Sequence, residues 1–335
     1  MIPQTPTVLL NQRWQSLLAS AIKDPAELLA QLGLTDRLTA IDDTVLKQFP
    51  LRVTQSYINK MRHGDLQDPL LRQVFPLIDE GIQHQNFVSD PVGDKLALSS
   101  PGLLQKYNGR ALLLTTGACA IHCRYCFRRH FPYNDSNPLA SQWTQTLDTL
   151  KQDTTINEVI LSGGDPLALS DVKLASMVSD LEAITHLQRL RIHTRLPLVL
   201  AERVDTQLLS WLSQTRFQVI MVIHANHANE LDNDVASAMQ SLAKHRVQLL
   251  NQSVLLKGIN DTLEALTDLS ERLIEIGVLP YYLHLLDPVA GASHFDVNEA
   301  EGIALIQQLR ANVSGYLVPR LVREQQGKSS KTVIC

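Results

Sequence analysis

Three cysteines lie close together in the segment Cys119-Ala-Ile-His-Cys123-Arg-Tyr-Cys126. Their thiolates can ligate three irons of a four-iron cluster, which leaves the fourth iron open for another ligand. A ferredoxin run uses two-residue gaps and supplies four thiolates, and the three-residue first gap differs from that pattern. A zinc knuckle needs a second pair of ligands, and neither His122 nor His130 is placed to complete one. The spacing therefore favours a site-differentiated 4Fe-4S cluster over zinc or inert buried thiols.

The cysteine segment continues into Phe127-Arg128-Arg129, and with this continuation it resembles the radical S-adenosylmethionine enzymes. The resemblance implies that the open iron chelates the amino and carboxylate groups of S-adenosylmethionine. It also implies that an external one-electron reductant feeds the cluster, which cleaves the sulfonium to a 5'-deoxyadenosyl radical. Such a radical takes hydrogen from an unactivated carbon. The cofactors carry this chemistry, while the protein binds, orients and excludes water.

The composition is that of a globular protein. With 335 residues and 44% hydrophobic content the chain can bury a large core. A net charge of -4 gives no bulk reason to expect nucleic acid or an anionic membrane as partner. No apolar stretch reaches the ~18 residues of a membrane span, and the N-terminus lacks a secretory pattern, so we expect a cytoplasmic protein. Three clustered cysteines plus Cys335 suit a reducing compartment.

The chain is predicted to have three parts: an N-terminal helical region 1–100, a barrel 101–312 and a C-terminal segment 313–335. Short helical patterns occupy 14–18, 24–29 and 69–71, and a loop-like stretch rich in Asp, Pro and Gly runs from 89 to 102. Beyond it, strand patterns at 110–116, 158–161, 189–194, 218–224, 248–255 and 280–286 alternate with helical ones at 171–184, 205–213, 229–245, 263–276 and 298–310. The alternation predicts an α/β fold with parallel strands, and six such units match the partial (β/α)6 barrel of the radical enzymes.

Loops after the strand ends build the site of such a barrel, and unusual polar residues fall there. Ser162-Gly163-Gly164-Asp165-Pro166 follows the second strand and, taken alone, is ordinary turn chemistry. After the cysteine motif it is similar to the family's Gly-Gly-acid-Pro segment, which holds the methionyl amino group of S-adenosylmethionine. His224 and Gln252 likewise match family residues near the adenosyl moiety, although each is also interpretable as a satisfied core polar group.

Three further segments narrow the resemblance to the lysine 2,3-aminomutases over 106–331: 251–261, 287–295 and 314–319. In that family a lysine near the chain end holds pyridoxal phosphate as a Schiff base, and the gapless match places it on Lys331. Lys328 is the nearby competitor, and a lysine in a polar tail is otherwise a solvated charge. Arg110 corresponds to the family's phosphate-binding arginine, with Tyr107 beside it. A planar guanidinium suits a phosphate dianion.

The resemblance also implies a substrate. Arg128 matches the arginine that grips the amino acid carboxylate, and Asp287 and Glu324 fall where lysine-specific enzymes place two acids around the side-chain ammonium. Two carboxylates in a water-poor site repel one another unless a cation lies between them. Lysine supplies that cation, whereas glutamate would meet like charge. Glu324 stands where Asp is usual in the family.

The function implied by the resemblance is an isomerase that moves the 2-amino group of L-lysine to carbon 3. The chain stops soon after Lys331 and is expected to lack the zinc-binding extension of longer aminomutases. It is similar to short bacterial forms that make β-lysine for modification of elongation factor P, which implies a ligase downstream; association of identical chains is left open. The alternatives are a radical enzyme without pyridoxal phosphate, such as an activase or peptide-modifying enzyme, and a non-enzymatic iron–sulfur or zinc module.

Overall fold

The computed structural model describes residues 13–37, 43–133 and 142–335. A sheet of ten strands forms its centre, and each strand pairs with its neighbours in chain order. The strands are β1 (Leu98–Ser100), β2 (Leu103–Tyr107), β3 (Arg110–Thr116), β4 (Glu158–Gly163), β5 (Arg189–Thr194), β6 (Gln218–Ile223), β7 (Gln248–Val254), β8 (Leu279–His284), β9 (Arg320–Arg323) and β10 (Thr332–Val333).

The strands from β3 to β9 run parallel to one another. β1 and β2 extend the sheet at one edge and β10 at the other, all in antiparallel pairing. Residues of β2, such as Leu104, and of β10, such as Val333, line one and the same cavity. The sheet must therefore curl around that cavity, which confirms the predicted partial barrel.

Among the described residues, the first four helices precede β1, and the other helices connect the parallel strands. They are α1 (Arg13–Ala19), α2 (Pro25–Gln31), α3 (Asp43–Gln48), α4 (Gln55–Ile58), α5 (Trp143–Gln152), α6 (Asp171–Glu182), α7 (Leu196–Val199), α8 (Thr206–Gln214), α9 (Asn233–Lys244), α10 (Leu263–Glu275) and α11 (Glu299–Asn312). Side-chain caps start several of them: Asp232 accepts from the backbone of Val235, and Thr262 from Ala265. None of the helices in the described residues combines the length and apolar character needed to cross a membrane.

One large apolar core joins the barrel to the N-terminal helices. Leu161 of β4 and Ile192 of β5 belong to the same buried cluster as Trp14 of α1, Leu28 of α2 and Tyr57 of α4. Burial of these side chains removes apolar surface from water and fixes the N-terminal region on the barrel. The division of the chain at 100 and 312 stays a prediction.

Two local predictions were wrong. Residues 69–71 form turns instead of a helix, and the carboxylate of Asp68 accepts hydrogen bonds from the backbones of Leu70 and Leu71 at 2.9 Å each. A local side-chain acceptor of this kind competes with helical backbone pairing. The loop predicted to reach residue 102 ends earlier, because β1 begins at Leu98. The strands β1, β2, β9 and β10 were not predicted.

Candidate active site

A cavity of about 600 Å³ opens where the parallel strands end. Every one of the fourteen site residues predicted from the sequence lines it: Tyr107, Arg110, Cys119, Cys123, Cys126, Arg128, Gly163, Gly164, Asp165, His224, Gln252, Asp287, Glu324 and Lys331. Residues more than 200 positions apart in sequence therefore line the same cavity. Their chemical roles stay predictions, which the local geometry makes more specific.

The cysteine loop follows β3 and is fastened by a buried acid. Arg124 donates to both carboxylate oxygens of Glu80, at 2.8 and 2.6 Å, and Arg129 donates to the same carboxylate at 2.6 Å. The backbone N–H of Cys126 also donates to the carbonyl of Cys123 at 3.0 Å. Charge-assisted hydrogen bonds of this kind are stronger than neutral ones, so the loop has a defined shape before any metal binds.

The three thiols suit iron. All are partly exposed, and burial raises the pKa of the Cys126 thiol to about 11 and that of Cys119 well above its usual value. Three thiolates at this place therefore need a cation, which the irons provide. Within 13–37, 43–133 and 142–335, no three His, Cys, Asp or Glu side chains are arranged as ligands of a single ion. In a four-iron cluster each thiolate binds a different iron, so the sulfurs need not converge on one point.

The glycines after β4 permit a close approach between two loops. Gly163 has φ of +126°, and a Cβ there would lie 2.5 Å from the carbonyl oxygen of Thr116. A Cβ on Gly164 would lie 2.4 Å from the carbonyl oxygen of Ala118. Side chains at these positions would push the glycine loop away from the start of the cysteine loop. The geometry explains both glycines by packing, and their contact with a ligand stays a prediction.

Asp165 braces the same loop to the end of β5. Its carboxylate accepts hydrogen bonds from Leu167 N at 3.0 Å, Thr194 Oγ1 at 2.7 Å, Arg195 N at 2.8 Å and Leu196 N at 2.9 Å. All four acceptor directions are used within the chain. The predicted contact of Asp165 with the methionyl ammonium remains a prediction, and the bracing role is a feature that sequence reasoning missed.

Neutral imidazoles line the part of the cavity predicted to hold the adenosyl group. His193 Nδ1 and His224 Nε2 lie 3.1 Å apart, so one ring donates a hydrogen bond to the other. Burial lowers the pKa of His224 to about 3, and it lowers the pKa of His193 as well. Both rings are therefore neutral near pH 7, which suits an uncharged nucleoside. Gln252 lines the same cavity.

The residues predicted to hold pyridoxal phosphate are close to one another. Lys331 Nζ donates to Glu324 at 2.7 Å, and the Tyr107 hydroxyl donates to the other oxygen of that carboxylate at 2.6 Å. The Arg110 guanidinium lies 4.7 Å from the Tyr107 ring centre. Among the described residues no acid forms an ion pair with Arg110, so its charge remains available to a phosphate. The competitor Lys328 is exposed and does not line the cavity.

The two acids predicted to bind an ammonium have different surroundings. Burial raises the pKa of Asp287 to about 7, and its Oδ1 has no hydrogen-bond partner. Burial alone would raise the pKa of Glu324, but Lys331 and Tyr107 outweigh it and lower the pKa below its usual value. Asp287 is therefore the acid with an acceptor left for a ligand cation, while Glu324 is already engaged with Lys331.

Arg128 is oriented by Asp94, which the sequence analysis did not identify, and by Ser162, the first residue of the glycine segment. Its Nε donates to Asp94 at 2.6 Å and its Nη1 donates to Ser162 Oγ at 3.0 Å. Lys106 forms an ion pair with the other oxygen of Asp94 at 2.6 Å and lies 3.6 Å from Glu324. These contacts join the arginine that is predicted to bind the substrate carboxylate to Glu324, one of the two acids predicted to bind its ammonium. No motif spacing signals Asp94 or Lys106.

A three-cysteine loop after the first parallel strand of a partial barrel defines the class of radical S-adenosylmethionine enzymes, and the Radical SAM superfamily matches residues 113–213. The chain is 46% identical to the L-lysine 2,3-aminomutase of Haemophilus influenzae over 99% of this chain and 98% of that protein. It is 44% identical to the Escherichia coli enzyme of the same description, over 96% and 94% of the two chains. Identity to the L-lysine 2,3-aminomutase of Clostridium subterminale is 33%, covering 96% of this chain and 77% of that protein.

The chain therefore belongs to the lysine 2,3-aminomutase family, as the sequence motifs predicted. Its cofactors are accordingly a 4Fe-4S cluster, S-adenosylmethionine and pyridoxal 5'-phosphate. The side chains that line the cavity fit all three: free thiols in one loop, neutral polar groups beside it, and both a lysine and an arginine that has no ion-pair partner among the described residues.

Proposed function

We propose that this protein converts L-lysine into β-lysine by moving the 2-amino group to carbon 3. The observation that carries the proposal is one cavity lined by three thiols, by Lys331 and by the acid Asp287, whose Oδ1 is unpaired. Bound there, the cluster with S-adenosylmethionine supplies a carbon radical that abstracts hydrogen, and pyridoxal phosphate supplies an aldehyde that condenses with an amine. A radical enzyme without pyridoxal phosphate would have no use for Lys331 and Arg110 in this arrangement.

The chain's own residues bind and orient. Lys331 is the amine to which pyridoxal phosphate attaches. When Lys331 is not bonded to pyridoxal phosphate, its ammonium donates a hydrogen bond to Glu324. Arg110 binds the phosphate. Arg128, fixed by Asp94, presents its guanidinium to the substrate carboxylate. Holding the reacting carbon in one place within a walled cavity keeps a reactive radical away from solvent and replaces a bimolecular encounter by a fixed geometry.

The charges of the cavity select lysine. A substrate that carries a carboxylate at one end and an ammonium at the other complements Arg128 and Asp287. An acidic side chain in place of the ammonium would meet the carboxylates of Asp287 and Glu324, and like charges at close range in a confined site cost several kcal/mol. The substrate is therefore lysine and not glutamate.

The cellular setting is part of the proposal. The three free thiols of the cysteine loop suit a reducing compartment, which supports the proposal that the protein works in the cytoplasm. An external one-electron donor reduces its cluster. A downstream ligase then transfers the β-lysine product to elongation factor P. Two experiments would test the last step. One is co-purification of this protein with the ligase, and the other is a comparison of β-lysylated elongation factor P in cells with and without this gene.

The activity is tested by an anaerobic assay. Protein reconstituted with iron, sulfide and pyridoxal phosphate is mixed with reductant, S-adenosylmethionine and L-lysine, and the amino acids are separated by mass spectrometry. We expect β-lysine, no product without S-adenosylmethionine, and no β-amino product from L-glutamate. Absence of β-lysine from protein with a verified cluster and bound pyridoxal phosphate would refute the proposed function.

The Asp287→Asn variant is expected to lose affinity for lysine. Removing one partner of a buried charge pair costs about 3 kcal/mol, which corresponds to a rise in KM of about 10²-fold. Because the pKa of Asp287 is raised to about 7, the unliganded carboxyl is neutral below that pH and charged above it. The lysine ammonium stays cationic throughout this range, so KM should fall as pH rises through about 7 and then level off. The measurement is KM from about pH 6 to about pH 8.5.

The amide variant provides its own control, because it is isosteric and does not titrate. We expect its KM to lack the step near neutral pH, while binding of pyridoxal phosphate is unchanged. The same pH step in both proteins would show that another group sets it.

A further inference from the structure

A buried arginine of the cavity wall contacts the cysteine loop. Arg195 directly follows β5 and is only 6% exposed. Its Nη1 lies 2.7 Å from Cys123 Sγ, and the same nitrogen contacts the hydroxyl of Tyr125. Cys123 is one of the three proposed cluster ligands. The proposed reaction assigns no role to Arg195.

The orientation of this guanidinium is fixed by three other acceptors. Nη2 donates to Glu230 at 2.7 Å, to Gln73 Oε1 at 2.7 Å and to the hydroxyl of Tyr57 at 3.0 Å. Tyr57 lies on α4 of the N-terminal region, whereas Glu230 follows β6 and is 0% exposed. Residues from distant parts of the chain therefore hold one donor against one sulfur, which gives the N-terminal helices a part in the site.

The position of the charge has an electrical consequence for the cluster. When a cluster accepts one electron it gains one unit of negative charge, and a cation or an N–H donor at a ligand sulfur stabilises that state. A buried charge acts through a lower effective dielectric than a surface charge, so its effect on the cluster is larger. Glu230 opposes Arg195, because it places a negative charge on the opposite side of the same guanidinium.

We propose that Arg195 is a positioning residue that raises the reduction potential of the 4Fe-4S cluster through its hydrogen bond to Cys123, with Glu230 limiting the effect. The inference rests on the cluster of the proposed function. The step concerned is the transfer of one electron from the external reductant to the cluster: the reductant is oxidised, the cluster is reduced, and no proton or bond is exchanged.

The test is a redox titration of the reconstituted protein, followed by electron paramagnetic resonance of the reduced cluster, without lysine or pyridoxal phosphate. Arg195→Gln removes the charge and keeps a donor. We expect its equilibrium constant for one-electron reduction to fall about tenfold, which corresponds to a potential about 59 mV more negative. Arg203→Gln is the matched control, since Arg203 is also buried, at 0% exposed, and is paired with the carboxylate of Asp171, but does not line the cavity. Its potential should equal that of the unmodified protein.

A second variant should shift the reduction potential of the cluster in the opposite direction. Glu230→Gln removes the opposing negative charge and should make the potential more positive. Unchanged potentials in both variants with intact clusters, or shifts of the same sign, would overturn the proposal. Loss of the cluster from both variants while Arg203→Gln retains it would overturn it too, because Arg195 would then be purely structural. A protein that shows these shifts but makes no β-lysine would refute the proposed function and leave this inference standing.

Discussion

Replacing Lys331 by alanine is expected to abolish β-lysine formation while leaving the iron–sulfur cluster in place. Lys331 lines the cavity and donates to Glu324 at 2.7 Å. The variant lacks the amine that holds pyridoxal phosphate, so the absorbance band of lysine-bound pyridoxal phosphate should disappear while the broad absorbance of the cluster remains. The rate should fall by about 10³-fold or more, as for the loss of other groups that bond covalently during catalysis. The cysteine loop is fastened by Glu80 and does not depend on Lys331, so iron content should be normal.

Lys328→Ala is the matched control for this experiment. Lys328 is exposed in the turn that precedes β10, and its backbone N–H donates to Gln325. Its loss should leave pyridoxal phosphate binding and activity unchanged. Borohydride reduction followed by peptide mass spectrometry locates the modified lysine directly. Labelling of Lys328 in the protein without substitutions would assign the attachment point to Lys328. Retention of the absorbance band of bound pyridoxal phosphate in Lys331→Ala would do the same.

The barrel strands could be predicted because each is a short apolar run buried between helices. The predicted strand 189–194 agrees with β5 and 110–116 agrees with β3. The other predicted strands differ by one or two residues at one or both ends, where terminal pairing depends on neighbours and not on the strand's own sequence. β9 escaped prediction because it reads Arg-Leu-Val-Arg, four residues with charges at both ends. β10 has two residues and exists only as an antiparallel partner of β9.

The site residues could be predicted because motifs fix their spacing, and their supporting residues could not. Arg128 and Asp94 are 34 positions apart, and Arg195 and Gln73 are 122 positions apart. Contacts over such distances depend on how the barrel closes, which no local pattern records. Gly163 and Gly164 show the same limit in another form. The sequence shows the two glycines, but the close approach of the Ala118 carbonyl that requires Gly164 depends on the folded arrangement of two loops.

Replacing Cys126 by serine is expected to remove the cluster and, with it, all β-lysine formation. Burial raises the pKa of the Cys126 thiol to about 11, so iron binding is what holds it as a thiolate. A serine hydroxyl is a far weaker ligand for iron, and two thiolates leave two irons of a four-iron cluster without a protein ligand. We expect low iron content, no signal from a reduced cluster and no cleavage of S-adenosylmethionine. The fold should persist, because the side chain does not belong to the large apolar core.

The Cys335→Ser variant tests whether the fourth cysteine of the chain ligates the fourth iron. The chain has four cysteines, and Cys335 is the one outside the loop. It packs beside the small apolar cluster of Leu321 and Ile306, its carbonyl accepts a hydrogen bond from Leu321, and it does not line the cavity. We therefore expect full iron content and activity in this variant. Loss of iron on replacing Cys335 would identify a fourth thiolate ligand, and a cluster saturated in that way has no iron on which S-adenosylmethionine could bind.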